Sequence, residues 1–329
     1  MKKKITVIGG SGFVGTNLCK LLEAKQQDFE IIDLKLSNQF PDKCKIGDVR
    51  EIETIRQTIT GDVVVNLAAT HRDDVRNKSE YQRTNIDGAE NVALVCEEKG
   101  IKKIVFTSTV AVYGFAEPGT DETGVINPFN EYGRSKFEAE EKLRVWQAKG
   151  QNALLIVRPT VIFGEGNRGN VYNLLNQVAS GKFVMVGKGK NKKSMAYIDN
   201  VVAFLEASIA TNQSYGVYNY VDTPDFTMEQ LVSHVRFLLT GKTGVGLRIP
   251  YWLGILIGLI ADVTSKLSGL NLPISSIRIK KFRSSTEFKS AKHKLDGFEA
   301  KFSLQEGLNR TLENEFLSPN PNQEIFHTE

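Results

Sequence analysis

Tyr132 and Lys136 are the two residues whose types and spacing point most directly to chemistry. Four positions apart, they share one face if the segment is helical. A free phenol has a pKa of about 10 and is a poor base near neutrality. An adjacent ammonium group favours the phenolate and lowers that pKa. Such a pair can take the hydroxyl proton when an alcohol is oxidised, while Thr109 or Ser108 positions the alcohol oxygen.

An oxidation of this kind needs a hydride acceptor, and a glycine-rich loop near the N-terminus predicts one. A β-branched strand at 4–8 runs into Gly9, Gly12 and Gly15, and an apolar helix follows. Gly9 allows a tight turn, Gly12 lets backbone N–H groups approach a pyrophosphate, and Gly15 lets the helix pack closely on the strand. These features predict a dinucleotide whose phosphates lie at the helix N-terminus.

Acidic residues indicate which dinucleotide is expected. Asp33 ends the next predicted strand, 18 residues after Gly15, close to the spacing of about 20 at which a carboxylate meets an adenosine ribose. A carboxylate there accepts hydrogen bonds from both ribose hydroxyls and repels a 2′-phosphate, so NAD is expected over NADP. Asp48 could accept a hydrogen bond from the adenine amino group.

Strands and helices alternate through the first half of the chain. The predicted strands lie near 4–8, 29–33, 62–67, 103–107 and 153–157, and the predicted helices near 13–26, 51–59, 81–99 and 133–149. This alternation predicts an α/β fold with a Rossmann-type doubly wound parallel sheet, and a smaller mixed α/β substrate-binding cap follows it. The predicted boundaries are 1–160 for the NAD-binding core, with contributions from about 195–222, then 161–194 and 223–317 for the cap and 318–329 for a flexible tail.

Composition narrows the classes of protein. The chain has 329 residues, 41% of them hydrophobic, and its net charge of +4 is too small to indicate a nucleic-acid partner. Cys19, Cys44 and Cys96 have no metal-ligand spacing and suggest reduced thiols in a cytoplasmic protein. No metal is expected. The N-terminus leads straight into the first strand, without room for a signal peptide.

The chain resembles the extended short-chain dehydrogenase/reductases, in particular the nucleotide-sugar epimerases, dehydratases and ketoreductases. The matching segments span residues 5–200 in the family's order and are 9–15, 66–69, 107–114, 130–136, 158–164 and 197–200, with Asp33, Asp48 and Asn85. The resemblance implies that Tyr132 is the acid/base, Lys136 its partner and Thr109 the third catalytic residue. The implied or expected cofactor-binding residues are Gly9, Gly12, Phe13, Val14, Gly15, Asp33, Asp48, Val49, Leu67, Ala68, Ala69, Asn85, Tyr132, Lys136 and Pro159. A homodimer formed through the helices at 81–99 and 131–149 is also implied.

Three departures from the family pattern concern the substrate. Val161 stands where many members carry an Asn that contacts the substrate diphosphate, and Lys193 lies near a position where an Arg is common. Val110 and Ala111 replace the acidic pair of the sugar dehydratases, which argues against dehydration. The expected substrate-contacting residues are His71, Thr109, Tyr132, Val161, Lys193, Arg278 and Arg283, within a broader group of cations around the crevice that includes Arg158.

An uncharged apolar stretch occupies 249–261. Its 13 residues are fewer than the roughly 20 that a membrane span requires. Two interpretations remain open. The stretch is a cap helix packed on the core, or it is an interfacial helix that contacts a membrane or lines the site of a lipid-like substrate.

The leading hypothesis is an NAD-dependent nucleotide-sugar epimerase that inverts C4 of a UDP-sugar through a transient 4-keto intermediate. A nucleotide-sugar 4-ketoreductase uses the same residues but releases its cofactor after one transfer. A 3β-hydroxysteroid-dehydrogenase-like alcohol oxidoreductase is a second alternative, motivated by the apolar stretch and by Val161. A cofactor-sensing regulator, which needs no catalytic Tyr–Lys pair, is the alternative that is not an enzyme.

Overall fold

A seven-stranded, wholly parallel sheet forms the centre of the computed structural model, which describes residues 3–72, 75, 77–268, 275–291 and 294–327 and only the backbone at 278 and 281. Its strands are β1 (Ile5–Ile8), β2 (Phe29–Asp33), β3 (Cys44–Ile46), β4 (Val63–Asn66), β5 (Lys103–Thr107), β6 (Ala153–Pro159) and β10 (Tyr215–Tyr220). The spatial order is β10-β6-β5-β4-β1-β2-β3. β1 pairs with β2 on one side and β4 on the other, so the strand order reverses there and opens a crevice at the carboxyl ends of the strands.

Helices cover both faces of this sheet. They are α1 (Phe13–Ala24), α2 (Ile52–Thr58), α3 (Ser79–Tyr81), α4 (Gly88–Glu98), α5 (Glu131–Ala148) and α7 (Ile198–Ala210). Successive strand residues point to opposite faces of the sheet. Val64 and Ile104 accordingly join one apolar cluster, while Val65 and Val105 join the other. Burial on both faces explains why these strands read as continuous apolar runs rather than as an alternating pattern.

The sheet confirms the predicted Rossmann-type α/β fold, with two additions. The five predicted strands are present, and β3 and β10 extend the sheet at its two edges. The predicted helix at 81–99 is divided, since a π-helical segment, Gln82–Asp87, separates α3 from α4. β3 holds only three residues, too few to show a strand period in the sequence.

The remaining elements form smaller layers beside the crevice. Their bounds are β7 (Val161–Phe163), α6 (Asn170–Ala179), β8 (Val184–Val186), β9 (Lys192–Tyr197), β11 (Asp222–Thr227), α8 (Met228–Thr240), β12 (Leu247–Ile249), α9 (Tyr251–Ser268), α10 (Ser276–Arg283) and α11 (Leu304–Leu312). β9 pairs in parallel with β7 and antiparallel with β11, while β8 and β12 form a two-stranded parallel sheet. The boundary between core and cap stays a prediction.

The structure anchors one residue, Phe326, within the predicted flexible tail at 318–329. Phe326 is buried, and its ring centroid lies 5.7 Å from that of Phe13. The backbone of Phe326 also exchanges hydrogen bonds with Gly166 and Arg168, at 2.8 and 2.9 Å. Prolines and asparagines upstream suggested a frayed end, but one aromatic residue anchors the segment beside the first turn of α1.

The apolar stretch at 249–261 begins with the last residue of β12 and continues into α9, which extends past it to Ser268. Among the described helices, α9 is the one that is long and apolar enough to cross a membrane, yet only 17% of its apolar window is buried. A core-packed helix would be mostly covered by the protein. The first of the two sequence interpretations is therefore wrong in this respect.

Candidate active site

The glycine loop has the geometry that binds a phosphate. Gly9 adopts a positive φ of +80°, and its amide donates to the carbonyl of Ile32 at 2.8 Å. A Cβ on Gly15 would lie 2.3 Å from the Gly9 oxygen, so only glycine lets α1 pack this closely on the end of β1. Among the described residues no side chain caps α1 at Gly12. The amides of the first turn therefore remain for an anionic ligand.

Asp33 lies at the end of β2 and faces this loop. Its carboxylate accepts hydrogen bonds from the amides of Ser11 and Leu34, at 2.9 and 2.7 Å. These two bonds fix the carboxylate at the rim of the crevice while leaving lone pairs for a ribose diol.

One cleft of about 760 Å³ runs from the glycine loop to the end of β5 and on to β7. Most of the residues that the sequence assigns to cofactor or substrate line it: Gly9, Gly12, Phe13, Val14, Gly15, Asp33, Asp48, Val49, Leu67, Ala68, Ala69, His71, Thr109, Tyr132, Lys136, Pro159 and Val161. The fold brings these residues into one place from seven separate chain segments, as the topological switch point requires.

α5 positions the Tyr–Lys pair. Asn130 begins the helix by accepting a hydrogen bond from the amide of Gly133 at 2.9 Å. Tyr132 and Lys136 follow on one helical face, and both line the cleft. Lys136 is fully enclosed, with its Nζ 4.0 Å from the centroid of the Phe106 ring. Burial lowers the pKa of Lys136 to about 7, and the negative charge of Glu140 acts in the opposite direction.

A buried network of charged side chains lies next to Lys136 on α5 and is centred on Glu140. Glu140, one turn further along α5, accepts hydrogen bonds from Arg158 Nε at 2.8 Å and from Arg144 at 2.8 Å. Arg158 also donates to the hydroxyl of Tyr113 at 2.7 Å. Arg158 was expected among the cations around the crevice. It is instead buried and committed to this network.

The end of β5 presents three hydroxyl groups to the cleft. The Thr109 oxygen accepts a hydrogen bond from the amide of Ala111 at 3.1 Å, which leaves the hydroxyl hydrogen for another acceptor. The buried hydroxyls of Thr107 and Ser108 have no hydrogen-bond partner within the described part of the chain. Because unpaired buried hydroxyls are costly, these positions fit a polar ligand.

Asn85 lies outside the cleft lining, whereas Asp48 lies within it with its carboxylate already paired. Asn85 does not line the cleft: its amide bridges the backbone of Thr70, at 2.8 and 3.0 Å, and the hydroxyl of Ser135, at 2.8 Å. It therefore shapes the loop after β4 and acts on a cofactor only indirectly. Asp48 does line the cleft, but its carboxylate is engaged by the guanidinium of Arg50 at 2.7–2.9 Å.

Two of the cationic substrate candidates, Lys193 and Arg283, lie outside the cleft. The ammonium of Lys193 is held at 2.6 Å by the carbonyl of Ser284, and burial lowers the pKa of Lys193 to about 8. The guanidinium of Arg283 stacks on Tyr251, 4.1 Å from the ring centroid. The side chain of Arg278 lies outside the described residues. The sequence could not indicate that these cations pair elsewhere, because their partners lie far from them along the chain.

The far wall of the cleft contains residues that sequence reasoning missed. They come from β9, from the loop before α6 and the first residue of that helix, and from the segment after α10: Asn167, Asn170, Ser194, Thr286 and Phe288. Thr286 reaches the wall because its segment runs beside β9, where its amide donates to Lys192 at 3.1 Å. This pairing joins residues more than 90 positions apart, and no local pattern indicates it.

These features together fit a bound NAD. The glycine loop provides amides for the pyrophosphate, Asp33 provides an acceptor for the ribose, and Lys136 reaches the cleft beside the unpaired hydroxyls of β5. The remaining length of the cleft, from β5 to the far wall, is available to a second ligand.

Comparison with known proteins agrees with this arrangement. The model of the NAD-dependent epimerase/dehydratase family matches residues 5–220. An N-acetyl-α-D-glucosaminyl-diphospho-ditrans,octacis-undecaprenol 4-epimerase of Escherichia coli O157:H7 is 46% identical over 335 residues, covering 100% of both chains. A UDP-glucose 4-epimerase of Vibrio cholerae is 27% identical over 82% of this chain and 86% of its own. The crystal structure of a UDP-N-acetylglucosamine 4-epimerase from Bacillus cereus superposes with a TM-score of 0.74 at 19% identity, covering 97% of this chain and 98% of that one.

Proposed function

Since the chain belongs to the NAD-dependent epimerase/dehydratase family, we propose that it inverts C4 of a sugar in diphosphate linkage. The observation that carries the proposal is the cleft itself, in which Tyr132 and Lys136 lie beside the hydroxyls of β5 and share one wall with the glycine loop. A binding protein without chemistry has no use for a fully buried lysine beside a tyrosine.

NAD, which the glycine loop and Asp33 would hold, would supply the hydride acceptor for oxidation at C4 and the hydride donor for the return reduction. The residues of the chain manage the proton. Tyr132 accepts the proton of the C4 hydroxyl during oxidation and returns it during reduction. Thr109 donates its hydroxyl hydrogen to the C4 oxygen and holds it in place. Lys136 favours the phenolate form of Tyr132 through its positive charge.

Glu140 serves as a positioning residue in this scheme. Its charge favours the protonated form of Lys136, against the effect of burial. Because Arg158 and Arg144 hold the Glu140 carboxylate on both sides, the carboxylate is fixed in place one helical turn from Lys136.

The carrier of the sugar is the second part of the proposal. A UDP-sugar is the carrier that the sequence suggests, but two observations favour a polyprenyl diphosphate. The relative with 46% identity along the whole chain acts on an undecaprenyl-linked sugar, whereas the UDP-glucose 4-epimerase shares 27%. Val161, partly exposed in the cleft, presents an apolar surface where many family members place an Asn against the substrate diphosphate.

Three further proposals concern the setting of this chemistry. The Asp33 carboxylate supports NAD rather than NADP. A homodimer through α4 and α5 would use a two-helix surface, since these helices pack side by side within the chain and are joined there by the ion pairs Glu90–Lys142 and Glu97–Lys149 at 3.0 and 2.9 Å. A cytoplasmic location is supported by the thiols, of which Cys19 and Cys96 are buried and unpaired in the described structure.

Product analysis with matched substrates tests the proposal. The purified protein is denatured to measure released NAD, and the native protein is incubated with UDP-N-acetylglucosamine or with N-acetylglucosaminyl-diphospho-undecaprenol. We expect retained NAD and a 4-epimer from the lipid-linked substrate. A protein that needs added NADH and reduces a 4-keto sugar would instead be a ketoreductase.

Tyr132→Phe separates catalysis from binding. Loss of the phenol hydroxyl should lower turnover by at least about 10²-fold, in line with general acid–base contributions, while NAD content stays near that of the wild type. Tyr218→Phe is the matched control, because Tyr218 lies on β10 outside the cleft lining and its hydroxyl donates to Gln213. Unchanged turnover in Tyr132→Phe would remove the catalytic assignment.

A further inference from the structure

α9 exposes an apolar face to solvent, whereas the exposed face of a surface helix is usually polar. The exposed residues recur at intervals of three or four and so form one stripe along the helix. They are Trp252, Leu256, Ile260, Val263 and Leu267, with exposed fractions of 67, 47, 59, 58 and 83%. Ile277 on α10 adds a further exposed apolar side chain, at 54%. An apolar surface of this extent marks an interaction site.

The opposite face of α9 is fixed to the protein. A Cβ on Gly254 would lie 2.5 Å from Val186, and one on Gly258 would lie 2.8 Å from the backbone of Ser276. The carboxylate of Asp262 accepts from the Ser276 amide at 3.2 Å. Small residues therefore let α9 pack closely on β8 and α10 along one face. A helix held in this way can lie along a membrane surface but is not free to cross the membrane.

Basic residues accompany the apolar stripe. The segment 247–283 contains six basic residues and one acidic residue, so its net charge of +5 exceeds the +4 of the whole chain. Lys266, Lys280 and Arg283 are exposed at the ends of α9 and α10. An apolar stripe with flanking cations and a tryptophan matches the interface of an anionic lipid bilayer, which attracts cations and accepts apolar side chains.

The α9–α10 pair leads directly into the far wall of the cleft. After α10 ends at Arg283, the chain passes along β9, and Thr286 and Phe288 line the cleft. Asn191 fixes the start of this passage by donating to the carbonyl of Phe282 at 2.8 Å, and Lys193 holds the carbonyl of Ser284. The end of α10 is therefore only a few residues along the chain from the far wall of the cleft.

We propose that the exposed face of α9 and α10, defined by the stripe residues with Lys266 and Lys280, docks the protein on an anionic membrane. The docked orientation brings the cleft to the lipid surface, where a polyprenyl-linked sugar can enter while its chain stays in the bilayer. This last step rests on the proposed function, whereas membrane docking itself does not.

Vesicle flotation of the full-length holoenzyme tests the docking without any substrate. The vesicles contain equal parts of phosphatidylglycerol and phosphatidylcholine, and vesicles of phosphatidylcholine alone serve for comparison. We expect binding to the anionic vesicles that weakens with added salt. Leu256→Glu/Ile260→Glu should reduce the binding constant at least tenfold, since two apolar side chains no longer enter the interface. Lys266→Gln/Lys280→Gln should reduce it several-fold on anionic vesicles only.

Two matched double variants test whether the same kinds of substitution affect vesicle binding when they are made elsewhere on the protein. Phe237→Glu/Leu238→Glu removes two exposed apolar side chains from α8, and Lys20→Gln/Lys102→Gln removes two exposed lysines elsewhere. Both should bind vesicles like the wild type, and all variants should keep their NAD content and Tm.

Three results would overturn the proposal. The first is vesicle binding by Leu256→Glu/Ile260→Glu that equals the wild type, and the second is no binding by the wild type. The third is a wild-type oligomer that dissociates in this variant without any effect of lipid, since α9 would then pack against a second copy. None of these measurements depends on epimerase activity. A failure of the proposed function can therefore be distinguished from a failure of membrane docking.

Discussion

At Lys136, a charged group is buried where an apolar one would be more stable. Its ammonium lies over the ring of Phe106, and burial lowers the pKa of Lys136 to about 7 from an ordinary value of 10.5. Glu140 offsets part of this cost and is itself satisfied by Arg158 and Arg144. A residue that is unfavourable for folding is retained here because the cleft needs its charge beside Tyr132.

Lys136→Met should therefore make the protein more stable and inactive. Methionine fills the space without a buried charge, and Glu140 keeps both arginines, so the free energy of unfolding should rise by about 1–3 kcal/mol near neutral pH. Turnover should fall by at least about 10²-fold. Thermal unfolding and product assays of the two proteins measure these changes.

The stability difference should also depend on pH in a defined direction. Below pH about 7, Lys136 is charged in both the folded and the unfolded state, and the cost of burying the charge is present in full. Between about 7 and 10.5 the unfolded state binds more protons, so the wild type gains stability as the pH rises. The Tm advantage of Lys136→Met should shrink over this range, and an advantage that grows with pH would contradict the assignment.

At the scale of elements, β1, the glycine loop and α1 form the unit that makes the cofactor site. The close packing of the helix on the strand places the first-turn amides at the cleft, and the positive φ of Gly9 turns the chain between them. α5 is the second such unit, since one helix carries the acid/base, its lysine partner and the supporting Glu140 in three successive turns.

Gly15→Ala tests the first unit. Its Cβ would lie 2.3 Å from the Gly9 oxygen, so α1 must move away from β1. We expect a loss of about 1–3 kcal/mol in the free energy of unfolding, typical of overpacking, and at least tenfold weaker NAD binding.

Gly150→Ala is the matched control for this substitution. Gly150 follows α5, and no described atom outside its chain neighbours lies within 4 Å of its ideal Cβ position. Its NAD affinity should equal that of the wild type when both proteins are compared by calorimetry. Equal NAD affinity in Gly15→Ala would show that the loop tolerates a wider gap than the structure indicates.

In the whole molecule, the end of the chain returns to its beginning. Phe326 packs on Phe13, whose own position in the first turn of α1 lines the cleft. The hydrogen bonds of Phe326 to Gly166 and Arg168 join the same segment to the loop before α6. The C-terminal residues therefore stabilise the cofactor helix from outside the sheet.

Phe326→Ala should destabilise the protein by about 2–4 kcal/mol, because a buried aromatic ring is lost, and should weaken NAD binding. Ile325→Ala removes a neighbouring side chain that is 49% exposed and should change either quantity little. Chemical denaturation and NAD titration of both variants provide the measurement. Equal effects of the two substitutions would refute a specific anchoring role for Phe326.

The sequence by itself determined the fold class, the family and the residues that lie close to one another along the chain. The glycine spacing, Asp33 and the Tyr132–Lys136 interval are local properties, and the backbone geometry of a turn or a helix translates them directly into position. Five strands of the sheet were also predictable, because strands buried on both faces require apolar runs.

Only the tertiary structure decided which groups of the same type face the cleft. Arg158 and Lys193 are cations in the right region, but Glu140 and the carbonyl of Ser284 bind them inside the protein. In the same way, apolar composition predicted the helix at α9 but not that its apolar stripe is exposed. Burial and charge pairing depend on residues that are distant in the chain, and a linear pattern carries no record of which of them meet.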